Sequence, residues 1–232
     1  MKRRTLFLLA LAMLLCLAGC KDKKPKRPDM DALRAAEVGS YIYFGAYEQD
    51  NKESTGKEDI EWLVLDKQED KMLVISRYGL DCQRFHNERA AVTWETCSLR
   101  GWLNGEFYET AFIPEEKNVI GTSLVTAEAN MRYYTPAGND TTDHVFLLSI
   151  DEANRYFLDD FDREIVGTPY CCEQGAYKDP DYGTCMWWLR SRGFDSSQAV
   201  YVNTDGGVIY SGDFVHFVRN AVRPAMWINL KP

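Results

Sequence analysis

The chain has 232 residues, enough for one large domain or two small ones, and its 13% aromatic content excludes a disordered chain. A core of that size needs neither disulfides nor metals to bury most of its apolar surface. The net charge of −8 is uneven: residues 1–36 carry nine Lys/Arg against three Asp, which leaves 18 basic and 32 acidic side chains, a formal −14, for residues 37–232. So acidic a domain repels phosphate backbones and excludes nucleic acid as a partner.

Lys2, Arg3 and Arg4 precede an apolar run from Leu6 to Leu17, followed by Leu17-Ala18-Gly19-Cys20. Twelve apolar residues fall short of the about 20 that a helix needs to span a bilayer core. Residues 1–19 therefore read as a secretory signal. Leu-Ala-Gly-Cys resembles a bacterial lipobox, which implies a diacylglyceryl group on the Cys20 thiol and cleavage ahead of it. The alternative is an ordinary secretory signal with a chance cysteine. Lipidation makes the bilayer a partner through acylated Cys20 and places the protein, lipid-anchored, on the extracytoplasmic face of the cell membrane. Residues 20–36, rich in Lys, Arg and Pro, read as a flexible basic tether.

The domain then spans 37–232. Val38–Phe44 alternates as a strand, and Gln49–Asp59 is a charged loop. Ile60–Leu65 and Met72–Ser76 flank a polar turn, which predicts a hairpin. Leu99, Trp102, Leu103 and Phe107 stand at helical spacing, with Thr96 or Ser98 as cap, and Pro114 opens a shorter helix. Val119–Val125 reads as a strand, Thr126–Asp143 as a long polar excursion, and Val145–Ile150 as an apolar strand. Ser149 to Glu152 forms a capping box for a helix over Ala153–Leu158. Cys171–Pro180 reads as loop with a helical turn. Strands at Met186–Leu189, Ala199–Val202 and Val208–Tyr210 follow, and Ala221–Leu230 closes the chain, interrupted by Pro224. The pattern is α+β: one domain, mostly antiparallel sheet with short helices, with the Val38 and Ala221 strands close together.

Five cysteines remain beyond Cys20: Cys82, Cys97, Cys171, Cys172 and Cys185. Cys82 with Cys97, and Cys185 with Cys171 or Cys172, are possible bridges in an oxidising compartment, and a reducing niche would leave all five free. Without a Cys-x-x-Cys motif or a close His pair among His86, His144 and His216, neither a metal nor another cofactor is expected.

Six motifs occur in order: Val38-Gly39-x-x-Ile42-x-Phe44-Gly45, Ile60-Glu61-Trp62-x-Val64-Leu65-Asp66, Leu99-Arg100-x-Trp102-Leu103-Asn104, Val145-Phe146-Leu147-Leu148-Ser149, Trp187-Trp188-Leu189-Arg190-Ser191 and Val222-Arg223-Pro224-Ala225-x-Trp227. Together they resemble an uncharacterised domain family of lipoproteins and surface proteins in Gram-positive, often gut-dwelling, anaerobes. That family is distantly similar to the C-type lectin-like fold shared with the formylglycine-generating, sulfatase-modifying proteins. The resemblance implies a fold, since this fold hosts binders, enzymes and scaffolds alike. The copper-binding cysteine pair of the formylglycine-generating enzymes has no match after Cys185.

Trp62, Trp102, Trp187, Trp188, Arg190, Arg223 and Trp227 are expected to build the fold, the arginines by satisfying buried carbonyls or carboxylates. The ligand-binding candidates lie in the loops between these motifs: Asp195, Tyr201, Asn203, Asp205, Tyr210, Asp213, Phe214, His216 and Arg219. Aromatic area mixed with short polar side chains suits an adaptable recognition surface. The expected function is a non-enzymatic module for a glycan or protein ligand. The alternatives are an exported enzyme acting on cell-wall or dietary polysaccharide, and a structural envelope component. No hydrolase elbow, phosphate loop or metalloprotease helix is present, so no catalytic residue is assigned.

Overall fold

The computed structural model describes residues 28–231, so Cys20, the signal segment and most of the tether lie outside the described residues. Regular structure begins earlier than the sequence suggests. Helix α1 (Met30–Ala35) is capped by Asp29, whose Oδ1 accepts from the Ala32 N–H at 3.0 Å. It buries Leu33 in the core, and Arg34 Nε donates to the Leu230 carbonyl at 2.8 Å, which joins the two ends of the described fold.

Strand β1 (Tyr41–Tyr47) keeps the expected alternation, and the expected hairpin is β2 (Glu58–Lys67) with β3 (Lys71–Ser76). Gly45, at φ +70°, sits at a register irregularity of β1. A Cβ there would lie 2.5 Å from the Phe112 ring, so both conformation and space require glycine. Then come β4 (Asp81–Cys82) and α2 (Ser98–Trp102), which runs through a π-helical turn, Leu103–Phe107, into α3 (Tyr108–Ala111). The cap of α2 is the Cys97 thiol, which accepts from the Arg100 N–H at 3.4 Å, in place of the expected Thr96 or Ser98. Helix α4 (Pro114–Lys117) starts at its proline.

Of the predicted strand at 119–125, only β5 (Ser123–Val125) forms, paired with β6 (Thr141–Asp143). Val145–Leu148 is buried but forms no strand, only an isolated bridge from Phe146 to Ala225. The helices α5 (Ile150–Tyr156), α6 (Asp160–Arg163) and α7 (Pro169–Glu173) follow, α5 with the predicted capping box on Ser149 and Glu152. The late strands are β7 (Trp187–Arg192), β8 (Gln198–Val202), β9 (Val208–Phe214), β10 (Ala221–Val222) and β11 (Ala225–Asn229).

A four-stranded antiparallel sheet has the order β1-β2-β3-β11, and a five-stranded sheet the order β4-β10-β7-β8-β9 with one parallel pair, β10 and β7. The expected closing strand is thus two strands in different sheets. Pro224, which lacks an N–H for a ladder, stands where the chain crosses between them. The strands from Val38 and Ala221 are therefore not neighbours: β10 lies in the other sheet, and β11 joins the sheet of β1 only at its opposite edge, with two strands between them. Both sheets contribute to one core, in which Trp62, Trp187 and Trp188 are 0% exposed. Each fully buried tryptophan removes about 150–250 Å² from water, roughly 4–6 kcal/mol as an upper bound. All five cysteines of the domain are free thiols. Among the described residues, no helix is long and apolar enough to cross a membrane.

Candidate functional site

The motif residues hold the fold together. Both indoles of β7 are buried: Trp187 Nε1 donates to the Arg163 carbonyl and Trp188 Nε1 to the Gln83 carbonyl, each at 3.0 Å. Arg190 donates to the Leu147 carbonyl at 2.8 Å and pairs with Glu152. Arg223 lies between the Phe157 and Trp187 rings and donates Nε to the Ser76 carbonyl at 3.0 Å. Trp62 Nε1 donates to the Phe44 carbonyl, and half-buried Trp102 packs against Phe107. Trp227, also half-buried, lies under Lys71 Nζ at 4.5 Å.

Most of the nine loop candidates are held by local contacts, several of them around Asp213 and Phe214. Asp195 is exposed, and its Oδ1 accepts from the Ser197 N–H and hydroxyl at 2.7 and 2.8 Å; these bonds hold its carboxyl below the usual range. Asp205 Oδ1 accepts from Asn203 Nδ2 and the Gly207 N–H, both at 3.1 Å, and so shapes the β8–β9 turn. Asp213, 4% exposed, is gripped by Arg219 at 2.5 and 2.7 Å and by Asn220 at 3.1 Å. Tyr201 packs edge-on against Trp188 beside that pair, and burial raises its hydroxyl pKa. Phe214 packs with His216 and Phe217 under the Arg89 guanidinium. Tyr210 lines a cavity.

That cavity is formed by a feature not recognised in sequence, a turn over residues 130–135. Asn130, 0% exposed, donates Nδ2 to the Arg192 and Tyr210 carbonyls at 2.8 and 2.9 Å. Thr135 Oγ1 donates to the Gly193 and Phe194 carbonyls at 2.8 and 3.1 Å. The two residues also bond to each other through their backbones. Pinned at both ends, the turn holds Met131 and Tyr134 in solvent, 70% and 79% exposed, and Tyr134 takes a φ of +56°. A left-handed backbone at a bulky residue costs about 1–2 kcal/mol and persists only where the surroundings enforce it. Tyr133 packs edge-on against exposed Phe194 with ring centroids 5.2 Å apart.

Behind this turn lies a cleft of about 130 Å³, closed on its other sides by α5 and by Ser191 and Tyr210. The Arg132 guanidinium stands 5.0 Å over the Tyr210 ring, whose hydroxyl accepts from Asn154 Nδ2 at 3.2 Å. Glu128 and Asp151 also line the cleft. Glu128 Oε2 accepts from Ser149 Oγ at 3.0 Å, and burial holds this carboxyl above the usual range against the pull of Ser149 and Arg190. A narrow slot continues from Glu128 and Ser191 toward Arg190. Among the described residues, Glu128, Arg132 and Asp151 enter no ion pair. Elsewhere, Glu48, Asp50 and Glu58 bring carboxylate oxygens within 4.8 Å of one another, but they accept from the N–H groups of their own loop.

Fold and cleft define a single α+β domain, mostly antiparallel, that carries a small polar surface cleft beside the pinned turn. A family model described as a domain of unknown function (DUF6273) matches residues 69–230, and the chain belongs to that family. Neither a curated protein nor a solved structure matches the chain.

Proposed function

We propose that the protein is a non-enzymatic recognition module of C-type lectin-like architecture, held outside the cell by an acylated Cys20, and that its ligand is a glycan. The observation that carries the ligand reading is the pinned turn 130–135: buried Asn130 and Thr135 hold large side chains in solvent at the rim of a polar cleft. A rigid backbone lowers the entropic cost of binding, and Tyr, Asn and Arg supply contact area and hydrogen bonds together. The bond between Arg34 and Leu230, which brings the two ends of the described fold together, and the late β7-β8-β9 hairpins support the lectin-like assignment. A glycan array probed with the full chain, followed by titration of the hits against Tyr210→Ala and Arg132→Gln, tests the ligand. Each substitution is expected to weaken binding about tenfold, or about 1.4 kcal/mol. A silent array, or variants equal to wild type, ends the glycan reading.

The two carboxylates in the cleft favour a second reading, a hydrolase, because glycoside cleavage uses such a pair. Release of reducing sugar that Glu128→Gln and Asp151→Asn abolish would establish it. The anchor has its own check: Cys20→Ser should leave the protein unacylated and released from membranes, whereas unchanged partitioning overturns anchoring at Cys20.

A further inference from the structure

Three thiols converge on a space that two glycines leave open, and the recognition reading uses none of them. Gly79 and Gly167 face each other in an isolated parallel bridge. A Cβ on either would stand 3.4 Å from the Cys171 Sγ and 3.5 Å from the Cys185 Sγ, and one on Gly167 would also stand 3.3 Å from the Cys172 Sγ. The three sulfurs thus surround one point. Cys171 and Cys185 are 0% exposed, whereas Cys172 is half-buried, so a reagent in solution reaches Cys172 first. Cys171 is an unsuitable partner for it. The two are consecutive in α7, and Cα atoms about 3.8 Å apart are closer than the about 4.4 Å that a disulfide spans. The Cys171 thiol also donates to the Asp81 carbonyl at 3.1 Å. Cys185 remains. Burial disfavours its thiolate, whereas the charge of Arg223, itself buried with Nη1 unpartnered, favours it.

We propose that Cys172 and Cys185 are a redox couple, which closes to a disulfide in the folded protein with a small disulfide as the oxidant. The Cys172 thiolate attacks R–S–S–R, forms a mixed disulfide and releases R–S⁻. The Cys185 thiolate, formed in the field of Arg223, then attacks the Cys172 sulfur and releases the second R–S⁻. Two electrons pass from the protein thiols to the small disulfide, and the two thiol protons end on the two R–SH released. Because Cys185 is buried, the second step is slow. The new bond closes residues 173–184 into a loop that carries exposed Tyr177 and Tyr182.

The test is to incubate the full chain with oxidised glutathione for hours, alkylate the remaining thiols and map the products by peptide mass spectrometry. A Cys172–Cys185 link is expected, and it should raise the melting temperature by about 5–10 °C. Cys185→Ser should stop at one glutathione on Cys172. Cys172→Ser should take up none, and Cys171→Ser should close as the wild type does. Arg223→Met should acquire glutathione on Cys172 at the wild-type rate but close about tenfold more slowly, the effect of one pKa unit on the attacking thiol, and Arg223→Lys should restore closure. A purely structural arginine would alter both steps or neither. Wild-type protein that keeps Cys172 and Cys185 as thiols, stops at the mixed disulfide or links another pair overturns the couple. Closure at an unchanged rate in Arg223→Met overturns the part given to the guanidinium.

Discussion

Arg223 takes a positive charge into the centre of the molecule, 3% exposed, with its Nη1 lacking a hydrogen-bond partner. Desolvation pulls its pKa down to about 9. A base whose folded pKa lies below the unfolded value weakens folding fully at neutral pH, and the penalty is relieved as pH rises through about 9. Its stabilising contribution is therefore its volume between the Phe157 and Trp187 rings and its bond to Ser76. Arg223→Met, which keeps volume and removes charge, should stay within about 1 kcal/mol of wild type in urea denaturation. Arg223→Ala, which opens a cavity between two rings, should lose about 2–4 kcal/mol. Equal losses in the two variants would show that the charge itself matters. The thiols follow the same logic. Burial pushes Cys82, Cys97 and Cys185 up to about 12 and Cys171 higher still, whereas Cys172 is half-buried. Because the thiolate is the nucleophile, an aromatic disulfide reagent at pH 8 should titrate Cys172 alone in the folded domain and all five thiols after denaturation. A second fast thiol in the native protein would refute this.

At the scale of elements, local signals were readable and long-range ones were not. The β2–β3 hairpin and the α5 capping box are written within a few residues, by alternation and by Ser149 with Glu152. Val145–Leu148 has the apolar run of a strand, yet its backbone partners come from the Asn104 side chain, from Arg190 and from Ala225; the run reports burial, not a ladder. The turn at 130–135 escaped notice because Asn130 is pinned to carbonyls 62 and 80 residues away. The only local hint is a cluster of large side chains, Met131 to Tyr134, inside a polar stretch. The motifs that stand out in sequence tie the fold together, and the cleft is lined mostly by residues outside them. Two variants separate pinning from contact. Asn130→Ala removes donors from two carbonyls and should cost about 1–3 kcal/mol, raise amide exchange across 131–134 and weaken ligand binding. Tyr134→Gly relieves the left-handed backbone but loosens the unfolded chain, so stability should change by less than about 1 kcal/mol while binding falls. Unchanged binding in both would dissociate the turn from recognition.

For the whole molecule, the family match and the folding unit do not coincide. The match starts at residue 69, in the turn between β2 and β3, whereas the ordered fold starts at α1. The first two strands before that turn nonetheless contribute heavily to the core. Ile42, Phe44, Tyr47, Ile60, Trp62, Val64 and Leu65 are all buried, and the Trp62 ring stacks on Phe112 across the boundary. At about 1.5–3 kcal/mol for each large side chain, these residues represent roughly 10–20 kcal/mol of burial, which is as much as the about 5–15 kcal/mol that holds a typical domain folded. Their removal would also leave β3, now central, with one bare edge beside an exposed apolar face. A chain of residues 69–231 should therefore aggregate or melt without a cooperative transition, with its near-ultraviolet circular dichroism lost. Residues 28–231 should melt sharply. A cooperative melt from the shorter chain would show that the first two strands are an accessory to the fold; its absence would move the domain's start back to the helix that carries Leu33.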